Sequence, residues 1–153
     1  MTAEVSKAAA VPRSVSLFSS ILRFLLIHGV PLGPNALVTI PGRTTGVPRT
    51  TPLALIDVSG RRWVWSPWGD VHWVRNLRAA ARATITFRRQ TEAMAARELD
   101  ADERIAFFRD VLGPLARSIP FGVQFIRIVD GVDITDPVAA AEGRVVFELQ
   151  PVR

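Results

Sequence analysis

The sequence predicts an α+β domain built around an antiparallel barrel of about six strands. Three observations lead there. Short apolar or alternating, β-branched segments recur through residues 36–99 and return at 144–149. Compact turn signals separate the first of them. Helical spacing then follows the third strand and again the fifth. A length of 153 residues with 48% hydrophobic and 22% charged side chains fits one folded domain and excludes wholesale disorder.

Taken in order, residues 1–13 read as a polar, alanine-rich, mobile tail. Residues 14–29 read as an amphipathic helix: Ser14 or Ser16 can cap it, Leu17, Phe18, Ile21, Leu22, Leu25 and Leu26 recur at helical spacing, and Gly29 stops it. Its apolar run of about 15 residues is shorter than the roughly 20 that cross a bilayer. The following Ile27-His28-Gly29-Val30-Pro31 is not a signal-peptidase site. Two readings are open: a helix packed on the domain, or one lying in a membrane interface through residues 14–28, with Lys7, Arg13 and Arg23 toward anionic headgroups. The second would place a cytoplasmic protein on the inner face of the cell membrane.

Residues 30–153 read as the barrel domain. Ala36–Ile40 is a strand, residues 41–48 a turn, and Arg49–Val58 a second strand in which Pro52 calls for an edge or a bulge. Ser59-Gly60-Arg61 makes a tight hairpin into Arg62–Ser66, so these three strands form a meander. Residues 71–80 form a short helix with Val74 and Leu77 inward. Ala83–Phe87 and Thr91–Leu99 are strands, and Asp100 opens a helix with an acidic first turn that runs to about Arg117. Residues 120–132 fit helix or loop, residues 133–143 fit a surface excursion, and Arg144–Leu149 closes the chain as a strand.

Composition narrows the chemistry. The chain has no cysteine and no tyrosine, so thiol nucleophiles, thiolate metal sites and phenolic proton donors are excluded. The missing cysteines also fit a reducing compartment. His28 and His72 are far apart in sequence, and no paired-histidine metal motif, nucleophile elbow, P-loop or dinucleotide fingerprint occurs. An enzyme so equipped leans on a bound cofactor. Charge is uneven. The net charge is +5, and all basic residues but Lys7 are arginines. Residues 1–91 hold twelve basic and three acidic side chains, whereas residues 92–153 hold seven and eleven. The positive field therefore belongs to the first two thirds, and it predicts an anionic partner.

The densest candidate for that partner is the turn Gly42-Arg43-Thr44-Thr45-Gly46-Val47-Pro48-Arg49 with Pro52-Leu53 behind it. Glycine lets backbone N–H groups face an anion, and arginine adds charge-assisted bonds. An ordinary basic hairpin is the competing reading. Downstream lie Ser66-Pro67-Trp68-Gly69 and Trp73-Val74-Arg75-Asn76-Leu77. In this order the three segments resemble the deazaflavin (F420)-dependent nitroreductase and quinone reductase family, over roughly residues 36–110. The resemblance implies a split β-barrel of the flavin-reductase kind that binds coenzyme F420, an 8-hydroxy-5-deazaflavin with a phosphate and a polyglutamate tail. FMN is the nearby alternative cofactor.

For this chain the resemblance implies Arg43, Thr44 and Arg49 at the anionic tail. Pro52, Val64, Trp65, Ser66, Pro67, Trp68, Trp73 and Asn76 would be the further cofactor contacts. Asn76 would bond the ligand or brace the loop. Ser66 or nearby backbone amides would stabilise developing negative charge, and the final proton would come from solvent or from His72. It departs from the family where Thr44 replaces a frequent lysine, where Trp68-Gly69 replaces Gly-Gly, and where C-terminal tyrosines are missing.

The expected function is hydride transfer from reduced F420 to an electron-poor quinone, enone or nitro compound. No metal is expected, and the protein is a monomer or a homodimer. A different class is a barrel that carries a flavin, haem or fatty acid without turnover. Nucleic-acid binding through Arg75, Arg78, Arg82, Arg88 and Arg89 is disfavoured, because only Phe87 and Trp73 lie among those arginines to stack on bases.

Overall fold

The computed structural model describes residues 35–152. The expected tail (1–13) and amphipathic helix (14–29) lie outside the described residues. Seven strands make one sheet: β1 (Asn35–Pro41), β2 (Pro48–Ala54), β3 (Ile56–Val58), β4 (Arg61–Ser66), β5 (Arg82–Phe87), β6 (Gln90–Glu98) and β7 (Val145–Pro151). The order is β2-β1-β5-β6-β7-β4-β3, with every neighbouring pair antiparallel. The sheet curls until β2 comes back against β4.

That closure corrects the expected meander. Arg49–Val58 is not one strand. It breaks at the buried Leu55, with β2 pairing with β1 and β3 with β4 at the opposite edge. A strand that leaves one edge and joins the other turns a curled sheet into a half-barrel. Ser59 (φ 53°) and Gly60 (φ 79°) then supply the two left-handed residues that a tight hairpin requires. At the β5–β6 turn the same conformation falls on Arg88 (φ 50°) and Arg89 (φ 65°).

Alternation along the strands builds two cores, one on each face. Val38, Ile40, Val64, Ile85, Met94 and Phe147 fill the inside of the curl, which helix α1 (His72–Ala80) plugs with Val74 and Leu77. Trp63, Trp65 and Val146 point to the other face, where the C-terminal helices pack.

Helix α2 (Ala101–Ala106) starts with a full capping box: the Asp100 carboxylate accepts from the Glu103 backbone N–H at 2.9 Å, and the Glu103 carboxylate accepts from the Asp100 N–H at 2.9 Å. The helix expected to run on to Arg117 instead widens into a π-helical stretch, Phe107–Leu112, before α3 (Gly113–Ser118). The extra residue in that turn lets consecutive Phe107 and Phe108 both face the core, edge to face at 5.2 Å. Gly113 follows because a Cβ there would sit 2.7 Å from the Phe108 carbonyl oxygen.

Residues 122–129 form helix α4 (Gly122–Val129), on which Phe125 and Ile128 are exposed at 61% and 82%, with the preceding N-cap Phe121 exposed at 79%. Residues 133–143 are not a surface excursion. Val132, Ile134, Ala140 and Ala141 are buried, and Asp136 caps the short helix α5 (Pro137–Ala141). Among the described residues no helix is long and apolar enough to cross a membrane.

Candidate functional site

The β1–β2 register brings Ile40 opposite Arg49 and Pro41 opposite Pro48, leaving residues 42–47 as a compact loop. The Gly42 N–H donates to the Val47 carbonyl at 2.9 Å, the Gly46 N–H to the Gly42 carbonyl at 2.8 Å, and the Val47 N–H to Thr45 Oγ1 at 3.2 Å. Gly46 (φ 72°) takes the left-handed position that glycine favours. A Cβ on Gly42 would meet Thr45 Oγ1 and the Val47 carbonyl, each at 3.2 Å. The loop is therefore preformed, with Arg43, Thr44 and Arg49 exposed.

Opposite the loop stands the start of α1. Its N-cap, Val71, has no side chain that can accept a hydrogen bond, so the first-turn N–H groups have no side-chain cap. Such an end carries partial positive charge. Between loop and helix runs a groove of about 580 Å³, lined among others by Arg43, Thr44, Arg49, His72, Trp73 and Asn76. Trp73 leans on Phe147 of the inner core, with ring centroids 6.2 Å apart, and forms part of the wall. Asn76 is buried at 8% exposure. Its Oδ1 accepts the Arg43 backbone N–H at 3.2 Å and Arg43 Nη1 at 2.8 Å.

Neither Arg43 nor Arg49 has a carboxylate within ion-pair distance among the described residues. Asp70, just before α1, is paired with Arg78 at 2.8 Å. The groove thus combines two uncompensated guanidinium groups with a helix N-terminus, a donor set for a ligand bearing several negative charges. No group of three or more metal-ligating side chains occurs among the described residues. The carboxyl that burial pushes up, to about 6, is Asp130, at the end of α4 and not on the groove.

Six of the residues singled out from sequence thus meet on one groove: Arg43, Thr44, Arg49, His72, Trp73 and Asn76. The others do not. Val64 is in the inner core and Trp65 in the outer one, against Phe108 at 5.5 Å, because adjacent strand residues face opposite ways. Pro52 pairs with Leu37 inside the β1–β2 ladder. Pro67 and Trp68 sit half-buried in the loop from β4 to α1. Ser66 is fully buried, and its hydroxyl donates to the Gly69 carbonyl at 2.9 Å. In this arrangement its proton braces the loop. Ser66→Ala is therefore expected to cost about 1 kcal/mol in chemical denaturation while leaving kcat within twofold of wild type. A loss of kcat at unchanged stability would return Ser66 to the chemistry.

Sequence reasoning missed Thr50 and Thr51, which border the groove from β2, and the uncapped helix start. A signal for the helix start was present: Val71 stands where a capping Ser, Thr, Asp or Asn is usual.

Comparison with known proteins identifies the family and the fold. The model of the F420H2-dependent quinone reductase family matches residues 26–117, which include the loop and α1. Among solved structures, an F420-H2 dependent reductase, FDR-A, is 18% identical over 76% of this chain and 94% of its own, with a TM-score of 0.51. The haem storage protein HutZ from Vibrio cholerae is 16% identical over 88% of this chain and 89% of its own, with a TM-score of 0.51. A pyridoxamine 5'-phosphate oxidase-related, FMN-binding protein from Nostoc punctiforme is 11% identical over 94% and 83%, with a TM-score of 0.53. At these identities the structures share the fold, a split barrel of the flavin-reductase kind. No curated protein matches the sequence. With more than half of its length matched by one family model, this chain belongs to the F420H2-dependent quinone reductase family and is an F420-dependent oxidoreductase.

Proposed function

We propose that the groove between the 42–47 loop and α1 holds F420 and that the protein reduces a quinone, with enones and nitro compounds as chemically related acceptors. The observation that carries this reading is the convergence of Arg43, Arg49 and the uncapped start of α1 on one cavity. A phosphate and a chain of carboxylates match such a donor set. FMN, with one phosphate and no glutamate chain, would leave part of it unused. Held there, the reduced deazaflavin would supply a hydride.

The chain's own residues supply the setting. Arg43 and Arg49 bind the anionic tail and fix the cofactor's register along the groove. Trp73 gives a flat, half-buried wall that orients the bound ring and excludes water on that side. His72, exposed at the same groove, is the titratable side chain placed to deliver the proton that balances hydride addition to a quinone.

The test is anaerobic mixing of reduced F420, a soluble quinone and the protein. Return of the oxidised cofactor's absorbance only when all three are present supports the reading, and binding without turnover would favour the non-catalytic carrier. His72→Gln is expected to lower kcat by about tenfold with unchanged F420 affinity. That is below the 10²–10⁴-fold of a sole general acid, because solvent can replace an exposed imidazole. An unchanged kcat would give the proton to solvent.

A further inference from the structure

We propose that Asn76 is a positioning residue that aims Arg43 into the groove without spending its charge. The proposal rests on the reading of the groove as the F420 site. One atom, Asn76 Oδ1, accepts both the backbone N–H of Arg43 and its Nη1, so the guanidinium is folded back beside its own backbone. Two donors converging on that atom also fix which end of the amide is oxygen. The Asn76 NH2 group then turns away from Arg43, on a residue that borders the groove.

The acceptor distinguishes Arg43 from the ion-paired arginines: like Arg104 and Arg144, which donate to backbone carbonyls, it is bonded to a neutral group, and in its case that group is a side chain on the groove. Arg62, Arg78, Arg97, Arg109 and Arg127 are each held by carboxylates, which neutralise the charge they orient. Arg43 is held by a neutral amide. A neutral acceptor fixes the direction of a cation and leaves its whole field for an incoming anion. The burial of Asn76 in α1, between the core residues Val74 and Leu77, keeps the clamp in place when no ligand is bound.

This separates a positioning role from a structural one, because Asn76→Asp and Asn76→Ala should act differently. The aspartate keeps an acceptor for both bonds but places a negative charge on Arg43. The alanine removes the clamp. Backbone hydrogen exchange by NMR reads the clamp with no ligand present. The Arg43 amide should be protected in wild type and in Asn76→Asp and lose at least tenfold of that protection in Asn76→Ala, while the Gly42 amide, bonded to the Val47 carbonyl, stays protected in all three.

Titration with oxidised F420 reads the consequence. Asn76→Asp should bind at least tenfold more weakly than wild type, and Asn76→Ala about fivefold more weakly. In an Arg43→Ala background, Asn76→Ala should change affinity by less than twofold. Equal protection of the Arg43 amide in wild type and Asn76→Ala would overturn the proposal. So would wild-type affinity in Asn76→Asp, or independent, multiplying losses in the double variant. If wild-type protein does not bind F420, the reading of the groove fails, and the exchange data alone decide the clamp.

Discussion

Replacing Arg43 and Arg49 together by alanine is expected to weaken F420 binding by roughly 10²–10³-fold, with each single change contributing about tenfold or more. A hydrogen-bonded charge contributes about 1.5–3 kcal/mol, and two at the low end of that range total about 3–4 kcal/mol. Both side chains are exposed, so salt should erode the same contribution and the wild-type affinity should fall as ionic strength rises. The variant should fold normally, since neither arginine is buried or ion-paired among the described residues. Calorimetric titration at two salt concentrations checks both statements. A loss smaller than fivefold would mean that the anionic tail is held elsewhere.

Phe108→Ala is expected to cost about 3–5 kcal/mol of stability, the range for truncating a buried phenylalanine, and to lower Tm by about 8–15 °C for a chain of this size. Phe108 has no solvent exposure and packs edge-on against Trp65 at 5.5 Å and Phe107 at 5.2 Å. It joins the π-helical stretch to β4 on the outer face of the sheet. The groove borders the inner core instead, through Ile40 and Trp73. F420 affinity measured well below the lowered Tm should therefore stay within threefold of wild type. A parallel collapse of affinity would show that the two cores are one mechanical unit.

Local chemistry made much of this architecture legible. The β1–β2 hairpin follows from alternation around a glycine-containing turn. The Ser59-Gly60 turn follows from its residue types, and the Asp100–Glu103 cap from spacing alone. What stayed hidden depends on distant partners. Leu55 lies inside a continuous apolar run, and only the curl of the whole sheet makes it the point where the strand changes edges. Residues 132–141 are rich in small or polar side chains, yet Val132, Ile134, Ala140 and Ala141 are buried because the outer face of the sheet needs a cover. The π-helical turn answers the packing of two adjacent phenylalanines, which no helical periodicity records.

The site divides along the same line. Arg43, Arg49, Trp73 and Asn76 meet because each belongs to a short segment whose spacing carries the geometry. Val64 and Trp65 turn their side chains into different cores, the inner and the outer, so any contact they share with one ligand would involve the backbone of β4. The bond from Ser66 to the Gly69 carbonyl was not legible, because its partner is a backbone group that side-chain chemistry does not announce.

Whether the groove holds F420 is decided by titrating wild-type protein with oxidised F420, followed by cofactor fluorescence, with FMN as the competitor. Binding should be saturable, salt-sensitive and in the micromolar range, with FMN at least tenfold weaker for want of the glutamate carboxylates. FMN binding as tightly as F420, or no binding of F420 at concentrations far above micromolar, would contradict the assignment of the groove to F420.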